Sequence, residues 1–342
     1  MHLSTPMTEL FGIEHPIAQA PMGRSAPPEL AAAVSNAGGL GMLGVSWDDQ
    51  QTTVQKIKAT RQLTDRPFAV NLGMMFDQRE RLAWCLDAGA PVVSTFWGDA
   101  SALFPALRAA KVKTLVTVGS VQEAKQSADW GAHAVVAQGV ESGGHVRSSI
   151  STMVLTPLVV DAVYPLPVIA AGGMADGRGL AAALMLGASG AWIGTRFLAT
   201  HEAGAHSVYK QLILDAEAQD ATMTFLFDKG WPGAQHRVLN NSTMRNWIAA
   251  GRPANGLRPG EHDAVATTSA GKAVHRYDDT APHQQLEGNV EAMALYAGQS
   301  VGMVSNICSA AQVVQEILHG AIDTLQRGSA MLAKIQTTRN SP

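Results

Sequence analysis

Two stretches of this 342-residue chain carry residues whose types and spacing suit chemistry. Residues 138–145 read QGVESGGH, so a lone histidine, His145, follows the pair Gly143-Gly144 behind an apolar run. Residues 168–195 read VIAAGGMADGRGLAAALMLGASGAWIGT; one apolar run breaks at Gly172-Gly173 and the next at Gly194-Thr195. Glycine lets backbone approach a ligand closely. In the second stretch an Ala/Leu-rich helix follows, so peptide N–H groups and the Thr195 hydroxyl offer neutral donors to a phosphate. Imidazole titrates near working pH, which makes His145 the candidate general base. A phosphate cradle beside a histidine on neighbouring strand ends suits a flavin enzyme; singly, each glycine pair could equally make a tight turn.

Other strand ends add weaker signals. Pro21-Met22-Gly23 could lay backbone along a flat ring, although Met22 is also an ordinary core filler. Asn71 and Gln138 each end an apolar run with an amide that can donate and accept, or cap a turn. Competing motifs fail. The glycines of the second stretch are not spaced as a GxGxxG fingerprint, and no GKS or GKT follows to make a Walker loop. Ser142 lies in GVESGG rather than a GxSxG elbow. His201 and His206 are five apart, where a zinc-binding HExxH helix needs four.

These residues need elements to hold them. Strand-like runs at 16–21, 39–45, 68–73, 92–98, 114–119, 134–139, 168–173 and 191–198 alternate with helical patterns such as 29–36, 78–88, 121–130 and 179–186. Eight continuous apolar strands with helical crossovers predict parallel strands buried on both faces. That number favours an α/β fold of TIM-like (β/α)8 barrel type, with chemistry at the C-terminal ends of the strands. The expected division is a barrel over 8–200, a helical and loop-rich insertion over 201–296 that could act as a lid, and a C-terminal segment over 297–340. Residues 202–228 look helical, 229–284 loop-dominated, and helices return after 286 with a break at 298–302. The tail after 337 is expected to fray.

Composition bounds the function. The chain is 46% hydrophobic and 15% charged, with a net charge of -3. It can bury a substantial core, and it has no electrostatic footprint for nucleic acid. Two cysteines far apart form no disulfide or zinc pattern, and no signal peptide or membrane span is visible, so a cytoplasmic location is expected. Apolar stretches in the C-terminal helices permit a homodimer.

Together these residues resemble the nitronate monooxygenase family, formerly the 2-nitropropane dioxygenases, and its FMN-dependent reductase relatives. The segments that carry the likeness are PIAQAPMG, SNAGGLGMLG, RPFAVNL, AQGVESGGH, IAAGGMADGRG, GTRFLAT and AGQSVGM. The resemblance implies a TIM-like barrel holding FMN at its C-terminal face. Pro21, Met22 and Gly23 would line the isoalloxazine, with Asn71 and Gln138 at its polar edge. Gly143, Gly144, Gly172, Gly173, Gly194 and Thr195 would hold the phosphate end, and Gln299 and Ser300 would complete the site. His145 matches the family's catalytic base, and no metal is implied. The implied reaction oxidises alkyl nitronates or nitroalkanes with O2 to carbonyl compounds and nitrite through a flavin semiquinone. The alternative is an NAD(P)H-dependent quinone or enoyl-thioester reductase; a non-enzymatic flavin-binding barrel and a phosphosugar isomerase are weaker rivals. Relatives often carry glycine two positions after the histidine, where this chain has Arg147, which could meet an anionic substrate or point to solvent.

Overall fold

The computed structural model describes residues 3–339, and side chains as far as 331. Eight parallel strands form its centre: β1 (Ile17–Gln19), β2 (Gly41–Gly44), β3 (Phe68–Gly73), β4 (Val92–Phe96), β5 (Lys113–Val118), β6 (Ala134–Gln138), and, after the two-residue β7 (Gly144–His145), β8 (Val168–Ala171) and β9 (Gly190–Ile193). Their order is β1-β9-β8-β6-β5-β4-β3-β2. Leu40, just before β2, bridges Ala18, with Gln19 N–H donating to Leu40 O (3.0 Å) and Leu40 N–H to Ile17 O (2.9 Å). That contact joins the two end strands and closes the barrel.

The period of two in each strand decides which residues reach the rim. Ala18, Met42, Ala69, Val92, Leu115, Val136, Ile169 and Trp192 share one buried cluster inside the barrel with Met7 and Phe11 of the N-terminal helix Pro6–Phe11. Phe68, Val70, Leu72, Val93 and Val135 face the other way, into the layer under the helices. Asn71 therefore continues the inward column of Ala69, and Gln138 that of Ala134 and Val136, at the C-terminal rim. Local signals set the helices between strands. Ser120 caps Val121–Trp130, accepting from Glu123 N–H, and Gly131 ends that helix in the left-handed region at φ 93°.

Two expectations are corrected. The eighth strand stops at Ile193, and Thr195–Leu198 is a helical turn. The segment after residue 201 is helical and loop-rich as expected, but the stretch 202–228 is helical only at Ser207–Asp215 and the turn Ala218–Asp220, and short strands appear that were not expected. It has the helices Ser207–Asp215 and Ser242–Ala249 and two small antiparallel sheets. The first pairs β10 (Ala221–Thr224) with β11 (His236–Leu239), and β11 with β7 of the barrel loop. The second joins β12 (Ala264–Thr268), β13 (Ala273–His275) and β14 (Leu286–Gly288). These strands are short and their loops rich in Gly, Pro and Asp, so alternation never runs long enough to stand out. A long helix, Ala310–Arg339, closes the chain against Gly177–Met185. The part of the tail at 340–342 lies outside the described residues.

Candidate active site

The barrel rim gathers most of the singled-out residues. At the β1–β9 side, a Cβ on Gly194 would lie 3.4 Å from Ala20 Cβ and 3.8 Å from Met22 Sδ, and one on Gly44 would lie 3.0 Å from Gly23 N and 3.9 Å from Pro21 Cβ. Asn71 donates to Ser94 Oγ (2.8 Å) across β3 and β4, which fixes its amide. Gln138 donates from Nε2 to His145 O (3.1 Å), tying the end of β6 to the histidine backbone.

The side of the rim where the glycine turns meet is built from backbone. Gly172 and Gly173 both have left-handed φ, 106° and 71°. A Cβ on Gly172 would stand 2.5 Å from Ser142 Oγ, so these two turns pack with no room for a side chain. The following helix is not an open anion site: it begins at Gly177, and the Asp176 carboxylate already accepts from Arg178 and Gly179 N–H. Segment 297–300 returns to the same place. Gly298 N–H donates to Thr195 Oγ1 (3.0 Å) and Gln299 N–H to Glu141 O (3.0 Å). A Cβ on Gly143 would come within 2.4 Å of Gly298 N. Ser300 is buried here and the Gln299 side chain is exposed.

His145 sits on β7, and its backbone is held by β11 of the insertion, with His145 opposite His236 and Gly144 opposite Arg237. Its ring stands in an aromatic box. Trp231 stacks on it with centroids 4.0 Å apart, and Tyr296, His236 and Trp97 lie at 5.4, 5.3 and 6.1 Å. Trp47, Phe76 and Phe96 extend the aromatic wall outward. His145 Nε2 is buried with no hydrogen-bond partner among the described residues. Burial, with a smaller contribution from neighbouring His236, pushes the imidazole down to about 3, so it is neutral at physiological pH. His236 accepts from Phe227 N–H at Nε2 (3.2 Å), which places its own proton on Nδ1, facing Ala234 O at 2.9 Å. Tyr296 donates its hydroxyl to Asp279 O (2.9 Å).

The nearby cations are committed elsewhere. Arg147 pairs with Glu123 at 2.7 Å and lies over the Trp97 ring, and Arg237 donates to Val140 O and Ala221 O. The His145 ring therefore faces aromatic rings, and its own Nε2 has no hydrogen-bond partner among the described residues. A cavity of about 460 Å³ opens instead on the free edge of β10, between Phe225, Trp247, Ile248 and Arg252, and carries none of the singled-out residues. Among the described residues no cluster suits a metal ion, and no helix is long and apolar enough to cross a membrane.

Sequence reasoning missed the aromatic box. Trp97 directly follows the end of β4 and Trp47 comes three residues after β2, and a bulky ring at a barrel strand exit is a usable signal. Trp231, His236 and Tyr296 come from the insertion, where no local pattern marks them.

A closed barrel with a backbone cradle at one side of its rim and a histidine at the other is the build of a barrel enzyme. Comparison makes this specific. The nitronate monooxygenase family model matches residues 4–84 and 73–320, and the chain belongs to that family and is an oxidoreductase. It is 35% identical over 97% of its length, and 99% of the relative's, to a 5-hydroxy-7a-methyl-1-oxo-octahydro-1H-indene-4-carboxyl-CoA dehydrogenase of Rhodococcus jostii. It resembles the structure of FabK from Thermotoga maritima with TM-score 0.81 and 33% identity, covering 96% of this chain and 99% of that one. It also resembles a nitroalkane oxidase of Streptomyces ansochromogenes with TM-score 0.76 and 31% identity, covering 94% and 99%.

Proposed function

We propose that the protein is an FMN-dependent oxidoreductase that takes up preformed nitronates, consumes O2 and releases a carbonyl compound and nitrite. The observation that carries this reading is the neutral His145 ring in a box without a free cation. The residues fit the cofactor. Gln138 Oε1, Ser142 Oγ and His145 Nε2 are buried polar atoms without partners among the described residues. Such atoms are costly unless a ligand satisfies them. The Gly172-Gly173 and Gly143-Gly144 turns with Thr195 would receive the phosphate end, and Pro21-Met22-Gly23, Asn71 and Gln138 the ring.

Bound FMN supplies the redox chemistry, accepting electrons and passing them to oxygen. The chain supplies placement and a low-polarity surrounding. A nitronate arrives already deprotonated and needs no base. His145, neutral, can offer one N–H to a nitro oxygen. The aromatic walls leave the remaining charge poorly solvated, which raises the energy of the carbanion and eases its loss of an electron. The same depression makes His145 a weak base, so the role of proton abstraction from a neutral nitroalkane, which the resemblance implies, is a poor match to this ring.

A second reading has its own support. The breadth of the aromatic wall and the likeness to a carboxyl-CoA dehydrogenase and to FabK favour NAD(P)H-driven chemistry on a bulky thioester or quinone. Anaerobic mixing separates the two. Flavin-loaded protein is mixed with propionate 3-nitronate or with NAD(P)H while flavin absorbance is followed. Rapid change with the nitronate, followed by nitrite release on admitting O2, supports the first reading. Bleaching by NAD(P)H alone moves the assignment to the second.

A further inference from the structure

Trp231 is buried at 7% exposure although it belongs to a connecting loop, residues 225–235 between β10 and β11. Its indole stacks on His145 with an interplanar angle of 28° and also touches Trp97 and Trp47, at 5.1 and 5.6 Å between centroids. It thus covers a face of the imidazole that a planar substrate group would occupy. Two glycines flank it closely, Gly230 at φ 114° and Gly233 at φ 71°. A Cβ on Gly230 would lie 2.5 Å from Asp279 Oδ1, and the left-handed φ at that position is one that glycine adopts without strain.

We propose that Trp231 is a built-in competitor of the substrate. The indole occupies the planar slot on His145, swings out about Gly230 and Gly233 when a ligand enters, and so sets the size and flatness of what the enzyme accepts. The class selected is a small, flat, conjugated group, which a nitronate is. This rests on the reading that His145 faces the substrate. Removing a competitor raises apparent affinity, because binding no longer waits on a minor open state. Trp231→Ala therefore lowers KM for propionate 3-nitronate, leaves kcat less changed and admits bulkier nitronates.

The direct test needs no turnover. Diethyl pyrocarbonate acylates neutral imidazole, and mass spectrometry reports the rate at each histidine of the flavin-loaded protein. With an open state populated at about 10% or less, Trp231→Ala raises the rate at His145 by about tenfold or more. The rates at exposed His262 and His275 stay unchanged. Trp231→Phe, which keeps a ring and guards against a misfolded alanine variant, falls between. Equal His145 rates in wild type and in a folded variant overturn the proposal. Nitronate inactivity combined with a raised His145 rate removes the nitronate reading and leaves the competitor in place.

Discussion

The two ends of the site are made of different material. Toward β8 and β9 it is backbone: Gly172, Gly143 and Gly298 meet where no Cβ fits, and Gly173 holds a left-handed φ beside them. Toward β6 and β7 it is side chains, and most of them come from far along the chain: Trp231, His236 and Tyr296 from the insertion, Trp97 from the end of β4. A backbone cradle binds by shape and tolerates no added atom. A side-chain box tunes polarity and can be rebuilt residue by residue. This suggests that cofactor binding and substrate choice are separable, which accords with one family holding relatives of differently named activities.

Substitutions at the two ends should differ in kind, and Gly143→Val is expected to have the largest effect. Its Cβ would enter the 297–300 segment, so the protein should purify without flavin and lose more than about 2 kcal/mol of stability, measured by denaturant unfolding. His145→Ala should retain flavin and fold while kcat/KM for nitronate falls about 100-fold, the scale of losing one donor at a reacting oxyanion. If that variant instead loses flavin, the two ends are not separable.

The difference also explains what could be read from sequence. The eight barrel strands are legible because most are short, mainly apolar runs buried on both faces, and β3 matches its expected bounds at both ends. The glycine turns are legible because glycine's role is local. The aromatic box is not. It depends on the β7–β11 pairing, which joins residues about ninety positions apart through two short strands. Asp176 shows the same limit on a small scale: its carboxylate closes the helix N-terminus that the glycine pattern alone leaves open.

Acidity should act on the box before the cradle. His145 is held near 3, below its ordinary 6.5, so the folded state binds fewer protons than the unfolded one between those values. Its contribution to stability is therefore fully present above pH 6.5 and is lost as pH falls toward 3. Thermal midpoints of wild type should drop over that window more steeply than those of His145→Gln. Tyr296→Phe should cost about 1 kcal/mol by loss of the hydroxyl bond to Asp279 O, with flavin content unchanged. Smallest is Arg147→Ala. Its exposed pair with Glu123 is worth at most about 1 kcal/mol, and KM for nitronate should move less than about threefold. A larger rise in KM would make Arg147 a substrate ligand.

The neutral histidine is tested most directly by comparing kcat/KM for propionate 3-nitronate and for its parent nitroalkane across pH 5 to 9. A hydrogen-bonding, non-basic His145 should give nitronate turnover at least about 100-fold above the nitroalkane, with no inflection near pH 6.5. Comparable turnover of both, with an inflection near 6.5 that disappears in His145→Gln, would contradict it and restore His145 as the base.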